Sequence, residues 1–150
     1  MGSSQYGNLP KDLQELYSFW DATDTLIAVN DDQVTTSSNS FVKIKQYTIT
    51  KPIEEESTFT LSLDFKNWGI SAPDDGHFKV YLNDDVLLWE EAPTSGDWET
   101  FTEDVELSPD VGDTIDLWIK TYRDTGSGFN VSAKNFRIYA SQTPFKRTIT

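Results

Sequence analysis

The chain has 150 residues, with 37% hydrophobic and 13% aromatic side chains, a formal net charge of −13 and a pI of about 4.2. That length and apolar content suit one domain with its own core, and the acidity repels phosphate backbones, which removes nucleic acid as an expected partner. With no cysteine, disulfides, zinc fingers, iron–sulfur clusters and thiol catalysis are excluded, and no run approaches the ~18 apolar residues of a membrane span.

Residues 1–22 read as an arm with a short helix. "MGSSQYGN" is polar, without the basic region and apolar run of a signal peptide. Tyr6 stands where N-myristoylation needs Ser or Thr. Leu9, Leu13, Leu16 and Trp20 recur at helical spacing and form one apolar stripe. Pro10 suits a first turn, while Asp12 and Glu15 complement the positive end of the helix dipole. A helix this short is marginal alone, so the stripe must pack on its own domain or on another subunit.

Residues 23–140 carry a period of two. "TLIAV" (25–29), "FVKIKQYTI" (41–49), "FTLSLDF" (59–65) and "HFKVYL" (77–82) read as strands, the last two alternating through Phe59, Leu61, Leu63 and Phe65, and through Phe78, Val80 and Leu82. "NDD" turns the chain into "VLLWE" (86–90), a hairpin. "WETFTEDVEL" (98–107) places Phe101, Val105 and Leu107 inward; "TIDLWIKTY" (114–122) does so with Ile115, Leu117 and Ile119. "FNVSAKNFRIYA" (129–140) begins with Val131 and Ala133 in register and then switches to Phe136 and Ile138, which predicts a bulge near Lys134–Asn135. About eight short strands separated by turns, without interleaved helices, predict an antiparallel β-sandwich of jelly-roll type. Residues 141–150, "SQTPFKRTIT", read as a tail that leaves the sandwich.

Catalytic chemistry finds little to work with. The single histidine, His77, points outward from its strand and has no evident partner to orient it. Carboxylate pairs such as Asp31–Asp32, Asp74–Asp75, Asp84–Asp85 and Glu90–Glu91 are adjacent, so they diverge on strands or sit solvated in turns, unlike a glycosidase pair facing across a cleft. The expectation is a protein that is not an enzyme. "PDVGD" (109–113) and "APDDG" (72–76) offer oxygens of the kind calcium takes, without EF-hand spacing; the alternative is that Asp and Asn serve turn geometry. "NVS" at 130–132 matches a glycosylation sequon. Asp110 and Asp113 read as turn residues around Gly112, and Asp116 as outward-facing beside Trp118 and Lys120.

Outward aromatics carry more information. Trp118 lies on the face opposite Ile115, Leu117 and Ile119; Tyr81, Trp89 and Trp68 raise the same question. Aromatics on the outside of a sheet serve a subunit interface, a sugar platform, or burial beneath the N-terminal helix.

Several stretches together resemble a β-sandwich structural module of tailed viruses: "ATDTLIAVNDDQVTTSSNSFVKIKQYTI" (22–49), "FKVYLNDDVL" (78–87), "WETFTEDVELSPDVGDTIDLWIKTY" (98–122) and "GSGFNVSAKNFRIYA" (126–140). The resemblance implies a domain without an active site, displayed on the head, fibre or tail of a phage or archaeal virus particle. The helix and tail are additions to that pattern. The resulting expectation is a virion structural protein assembling with capsid or tail subunits and with copies of itself. Its expected contacts are Leu9, Leu13, Leu16, Trp20, Trp118 and Phe145. The alternative is a carbohydrate-binding module in which Trp118, Tyr81 or Trp68 stacks on host sugar rings, with calcium as a candidate support. No other cofactor and no membrane partner is expected.

Overall fold

The computed structural model describes residues 25–50, 57–68, 76–121 and 130–141. The helix stripe Leu9, Leu13, Leu16 and Trp20, and Phe145 in the tail, lie outside the described residues, as does most of "APDDG".

Nine strands form among the described residues: β1 (Thr25–Asn30), β2 (Val34–Thr36), β3 (Val42–Thr48), β4 (Ser57–Asn67), β5 (Gly76–Leu82), β6 (Val86–Glu91), β7 (Glu99–Leu107), β8 (Thr114–Thr121) and β9 (Val131–Ala140). They make two antiparallel sheets. One runs β1-β9-β4-β7, with β2 also pairing β9; the other runs β3-β8-β5-β6. Most connections cross from one sheet to the other, giving the expected sandwich a jelly-roll-like course. The strand beyond the expected eight is β2, whose three residues are too few to show a period.

The core follows from the alternation. Phe59, Leu61, Leu63 and Phe65 on β4 and Phe136 and Ile138 on β9 face Phe78 and Val80 on β5 and Ile115, Leu117 and Ile119 on β8; all are buried. Phe78 sits among three rings, with centroids 5.6 Å from Phe65, 4.8 Å from Trp89 and 5.6 Å from Phe101. Fully burying a side chain of this size stabilises by about 1.5–3 kcal/mol, before packing terms. Trp89 corrects the expectation of an outward aromatic. A register shift in the β5–β6 ladder leaves Val80 opposite Trp89 and Tyr81 opposite Leu87, so the indole faces the core and Leu87 faces out.

The bulge expected near Lys134–Asn135 is present. Ser62 pairs with Arg137 and Asp64 with Lys134, and Asn135 takes a φ of 55°. Its side chain donates to Asp64 at 2.8 Å. At one end of the sandwich, Asn67 is buried and its amide ties down the β6–β7 loop, donating to the carbonyls of Pro93 (2.9 Å) and Ser95 (3.0 Å). Gly76 lies against it so closely that a Cβ there would meet Asn67 Oδ1 at 2.2 Å and Phe65 Cε1 at 2.5 Å.

Lys45 is unexpected inside the sandwich, with a relative exposure of 6%. A register shift in β3 puts it opposite Leu117, on the core face. Its ammonium crosses to the other sheet and donates to Asn30 O and Asn30 Oδ1, both at 2.8 Å, and to Asp32 O. It closes a cleft of about 120 Å3 that Ala28, Tyr47, Phe136 and Ile138 also line.

Candidate functional site

The outer face of the β3-β8-β5-β6 sheet gathers the chemistry. The ladders define its rows. Lys43, Trp118, Lys79 and Glu90 lie side by side across the four strands. One step along, Gln46, Asp116, Tyr81 and Leu87 do the same. On the other side, Lys120 and His77 are opposite each other, with Phe41 beside them. On β5 and β8 strand alternation places these residues on one surface, because their neighbours Ile115, Leu117, Ile119, Phe78 and Val80 are committed to the core, while register shifts bring Lys43 and Gln46 on β3, and Glu90 and Leu87 on β6, to the same side.

Trp118 is held rather than loose. Its indole Nε1–H donates to Asp84 Oδ1 at 3.1 Å, and Tyr81 meets its ring edge-on with centroids 6.5 Å apart. Lys43 Nζ lies 5.5 Å from its centroid. Asp84 is delivered by the hairpin turn between β5 and β6. Asn83 and Asp84 both have φ of 56°, and Asp85 N–H donates to the Leu82 carbonyl at 3.1 Å. Asn and Asp are the non-glycine residues that tolerate this conformation best, so "ND" serves the turn and sets the carboxylate beside the indole. Asn83 locks the turn onto β8, accepting Thr114 N–H at 2.9 Å.

Asp84 Oδ2 also accepts Lys43 Nζ at 2.6 Å. The ammonium holds the Asp84 carboxyl below the usual range, and the carboxylate raises Lys43. Asp116 corrects the reading of it as an exposed outward carboxylate: it is on the outer face but has no solvent exposure. Its Oδ2 accepts Thr114 Oγ1 at 2.7 Å and Asp84 N–H at 3.1 Å. Its Oδ1 has no hydrogen-bond partner; the nearest cation, Lys43 Nζ, is 3.9 Å away. Burial pushes its pKa up from the ordinary carboxylate value, with neighbouring Asp84 adding to the rise.

His77 does find a partner, contrary to expectation. Its Nε2 lies 3.1 Å from Glu90 Oε2, and Phe41 packs edge-on at 5.1 Å between centroids. Lys79 and Lys120 place their ammonium groups 4.8 Å and 4.9 Å from the Phe41 centroid.

The "PDVGD" loop uses its acids on itself. Asp113 Oδ2 accepts Asp110 N–H at 2.8 Å, Asp113 Oδ1 takes the Asn83 amide at 3.2 Å, and Gly112 has φ of 97°. Among the described residues no group of three or more metal-ligating side chains converges. Trp68 lies on the other sheet's side, half exposed, donating to Ser132 Oγ at 2.6 Å with Lys66 Nζ 3.8 Å from its centroid. The structure therefore brings Trp118 and Tyr81 together and leaves Trp68 apart. The alternation singled out Trp118; it carried no signal for Asp84 or Lys43, which reach it through a turn and a cross-strand step.

No protein-family model matches the chain, and no curated protein does. Among solved structures, the dimeric latent PorU of Porphyromonas gingivalis matches with a TM-score of 0.56 at 10% identity, over 81% of this chain and 13% of that one. The chain thus spans about an eighth of PorU, and the likeness is one of fold. The EclA C-terminal domain, a sugar-binding protein, gives 0.48 at 13% identity over 76% of this chain and 81% of that one. A carbohydrate-binding module of Cellvibrio mixtus lichenase 5A, in complex with cellotriose, gives 0.43 at 13% identity over 79% and 99%.

Proposed function

We propose that the chain is a non-catalytic carbohydrate-binding module and that the outer face of the β3-β8-β5-β6 sheet takes the sugar. The observation that supports this best is the fixed indole of Trp118 amid polar groups: Asp84, Lys43, Lys79 and Gln46 lie around it, with Tyr81 at its edge. A sugar ring presents C–H groups on its faces and hydroxyls at its rim. An aromatic plane takes the first, and carboxylates, ammonium groups and amides take the second. The indole N–H is already satisfied by Asp84, so the ring need not turn to find a partner when ligand arrives. A titration with soluble polysaccharides, followed by tryptophan fluorescence, tests the reading. Saturable change in the native protein that is lost in Trp118→Ala supports it. No change with any glycan, with Trp118 covered by a second subunit, overturns it.

The virion-assembly reading is the second proposal, with capsid or tail subunits as partners and the particle surface as location. It draws on the β6 edge, where Val86 is 53% and Leu87 44% exposed on a strand whose outer backbone has no partner strand among the described residues. Such an edge accepts a strand from another chain. Light scattering of the native protein and of Val86→Lys tests it: a native oligomer that the lysine dissolves supports it, and a monomer in both removes it.

A further inference from the structure

In the β1-β9-β4-β7 sheet, the free side of β7 has no partner strand among the described residues. β7 carries Glu99, Glu103, Asp104 and Glu106 and no basic residue, and all four acids are exposed. Pairing with β4 sorts them by side. Asp104 and Glu106 stand opposite Thr60 and Thr58 on the outer face, where each carboxylate accepts the threonine hydroxyl, at 2.7 Å and 2.6 Å. Glu103 stands opposite the buried Leu61, at the rim of the core side. None of the four has a basic partner among the described residues. Phe101 and Val105, on the same side as Glu103, are only partly buried at the margin of the core. This edge therefore offers backbone groups, carboxylates on both sides and an uncovered apolar margin on one. Like charges keep a second β7 away from it, whereas a strand of basic and apolar residues fits it. The β6 edge of the other sheet differs: Glu90 is bonded to His77, and Glu91 accepts Trp89 Nε1–H.

The chain supplies such a strand in "FKRTIT" (145–150), outside the described residues. Its alternation sets Phe145, Arg147 and Ile149 on one side and Lys146, Thr148 and Thr150 on the other. It follows β9 closely. Ser141 N–H donates to the Thr58 carbonyl at 2.9 Å, which carries the β9–β4 ladder to the level of Glu106. From β9 across β4 and β7 to a new strand position is three strand spacings, ~14 Å. The five steps from Ser141 to Lys146 reach up to ~17 Å. Pro144, which has no N–H to give a ladder, falls in this crossing. β7 and β9 both run antiparallel to β4, so a chain that crosses and turns back runs antiparallel to β7.

We propose that residues 145–150 add to the sheet as a strand antiparallel to β7 of the same chain. Lys146 then lies beside the outer carboxylates Asp104 and Glu106, Arg147 beside Glu103, and Phe145 and Ile149 along the margin of Phe101 and Val105. The added strand closes the β7 edge and leaves the Trp118 face, which belongs to the other sheet, open to its ligand.

Hydrogen exchange of the full chain, read on the amides of β7, tests this. An unpaired edge leaves about every second β7 amide open to solvent. A seated tail should slow those amides roughly tenfold, and the slowing should shrink as sodium chloride is raised. Lys146→Glu combined with Arg147→Glu should abolish the slowing, while the amides of β8 exchange as in the native protein. Adding Asp104→Lys and Glu106→Lys to that variant should restore it, because the opposite charges then face each other again. Fast exchange of the outward β7 amides in the native chain overturns the proposal, as does slowing that the double charge reversal leaves intact. A native dimer in light scattering that the charge reversal turns into a monomer also overturns it, since the tail then lies on a second copy.

Discussion

The Trp118 indole and the Asp84 carboxylate meet at 3.1 Å, and the second oxygen of that carboxylate holds Lys43 at 2.6 Å. One turn residue therefore fixes both the ring and the cation of the proposed site. Asp84→Gly isolates this role. Glycine accepts a φ of 56° without penalty, and the backbone N–H that Asp116 accepts is kept. The variant should melt close to the native temperature, bind polysaccharide several-fold more weakly, and show a shifted Trp118 emission. Unchanged affinity would remove Asp84 from the site.

Trp118→Ala should cost more. A buried aromatic anchor at the centre of an interface contributes about 2 kcal/mol or more, which is roughly thirtyfold in affinity. Urea unfolding of the same variant should move little, since the ring lies outside the core. Loss of folding in step with loss of binding would show a structural ring instead.

Asp116 gives a pH dependence with a definite sign. Its folded pKa is raised by burial, so the unfolded chain releases this proton more readily than the folded one. The contribution is fully present below the ordinary carboxylate value of 3.8 and is lost as pH rises through the raised value. Asp116→Asn removes it. The stability of the variant relative to the native protein should grow as pH rises above 3.8 and then level off, read from urea midpoints at a series of pH values. The opposite shift of Asp31, lowered by its bond to Arg137, is common to both proteins and cancels in the difference, whereas Asp84 interacts directly with Asp116 and contributes to it. A flat difference would show an ordinary carboxylate at 116.

Gly76→Ala tests the tight end of the sandwich. The added methyl group would overlap Asn67 Oδ1 and the Phe65 ring, both of which are buried. Overpacking of this kind costs about 1–3 kcal/mol, and the loop that Asn67 holds through Pro93 and Ser95 should become more open to hydrogen exchange.

Phe78→Ala should be more severe, at about 3–5 kcal/mol, because the cavity opens among Phe65, Trp89 and Phe101. Thermal unfolding monitored by near-ultraviolet circular dichroism measures it.

Much of the sandwich is legible in the sequence because side-chain period reports burial directly. Phe59, Leu61, Leu63 and Phe65 alternate, and all four are buried. The switch from Ala133 to Phe136 locates a bulge that Asn135 does form. Local pattern fails where a ladder shifts register. Trp89 turns inward because of an irregularity set by its partner strand, and Lys45 turns inward for the same kind of reason. The site is half legible. Trp118 follows from its neighbours, whereas its bond to Asp84 and the burial of Asp116 depend on strands brought together from distant parts of the chain.

The position of β9 has a consequence for how the molecule assembles. β9 lies between β4 on one side and β1 and β2 on the other, so Thr25 pairs with Ala140 and Thr36 with Val131. During synthesis the first two strands have no ladder partner until nearly the whole domain has left the ribosome. Closing such long loops before any contact repays them makes folding slow. The sheet should therefore form late and all at once, and a chain cut before Val131 should leave three strands without the neighbour that joins them.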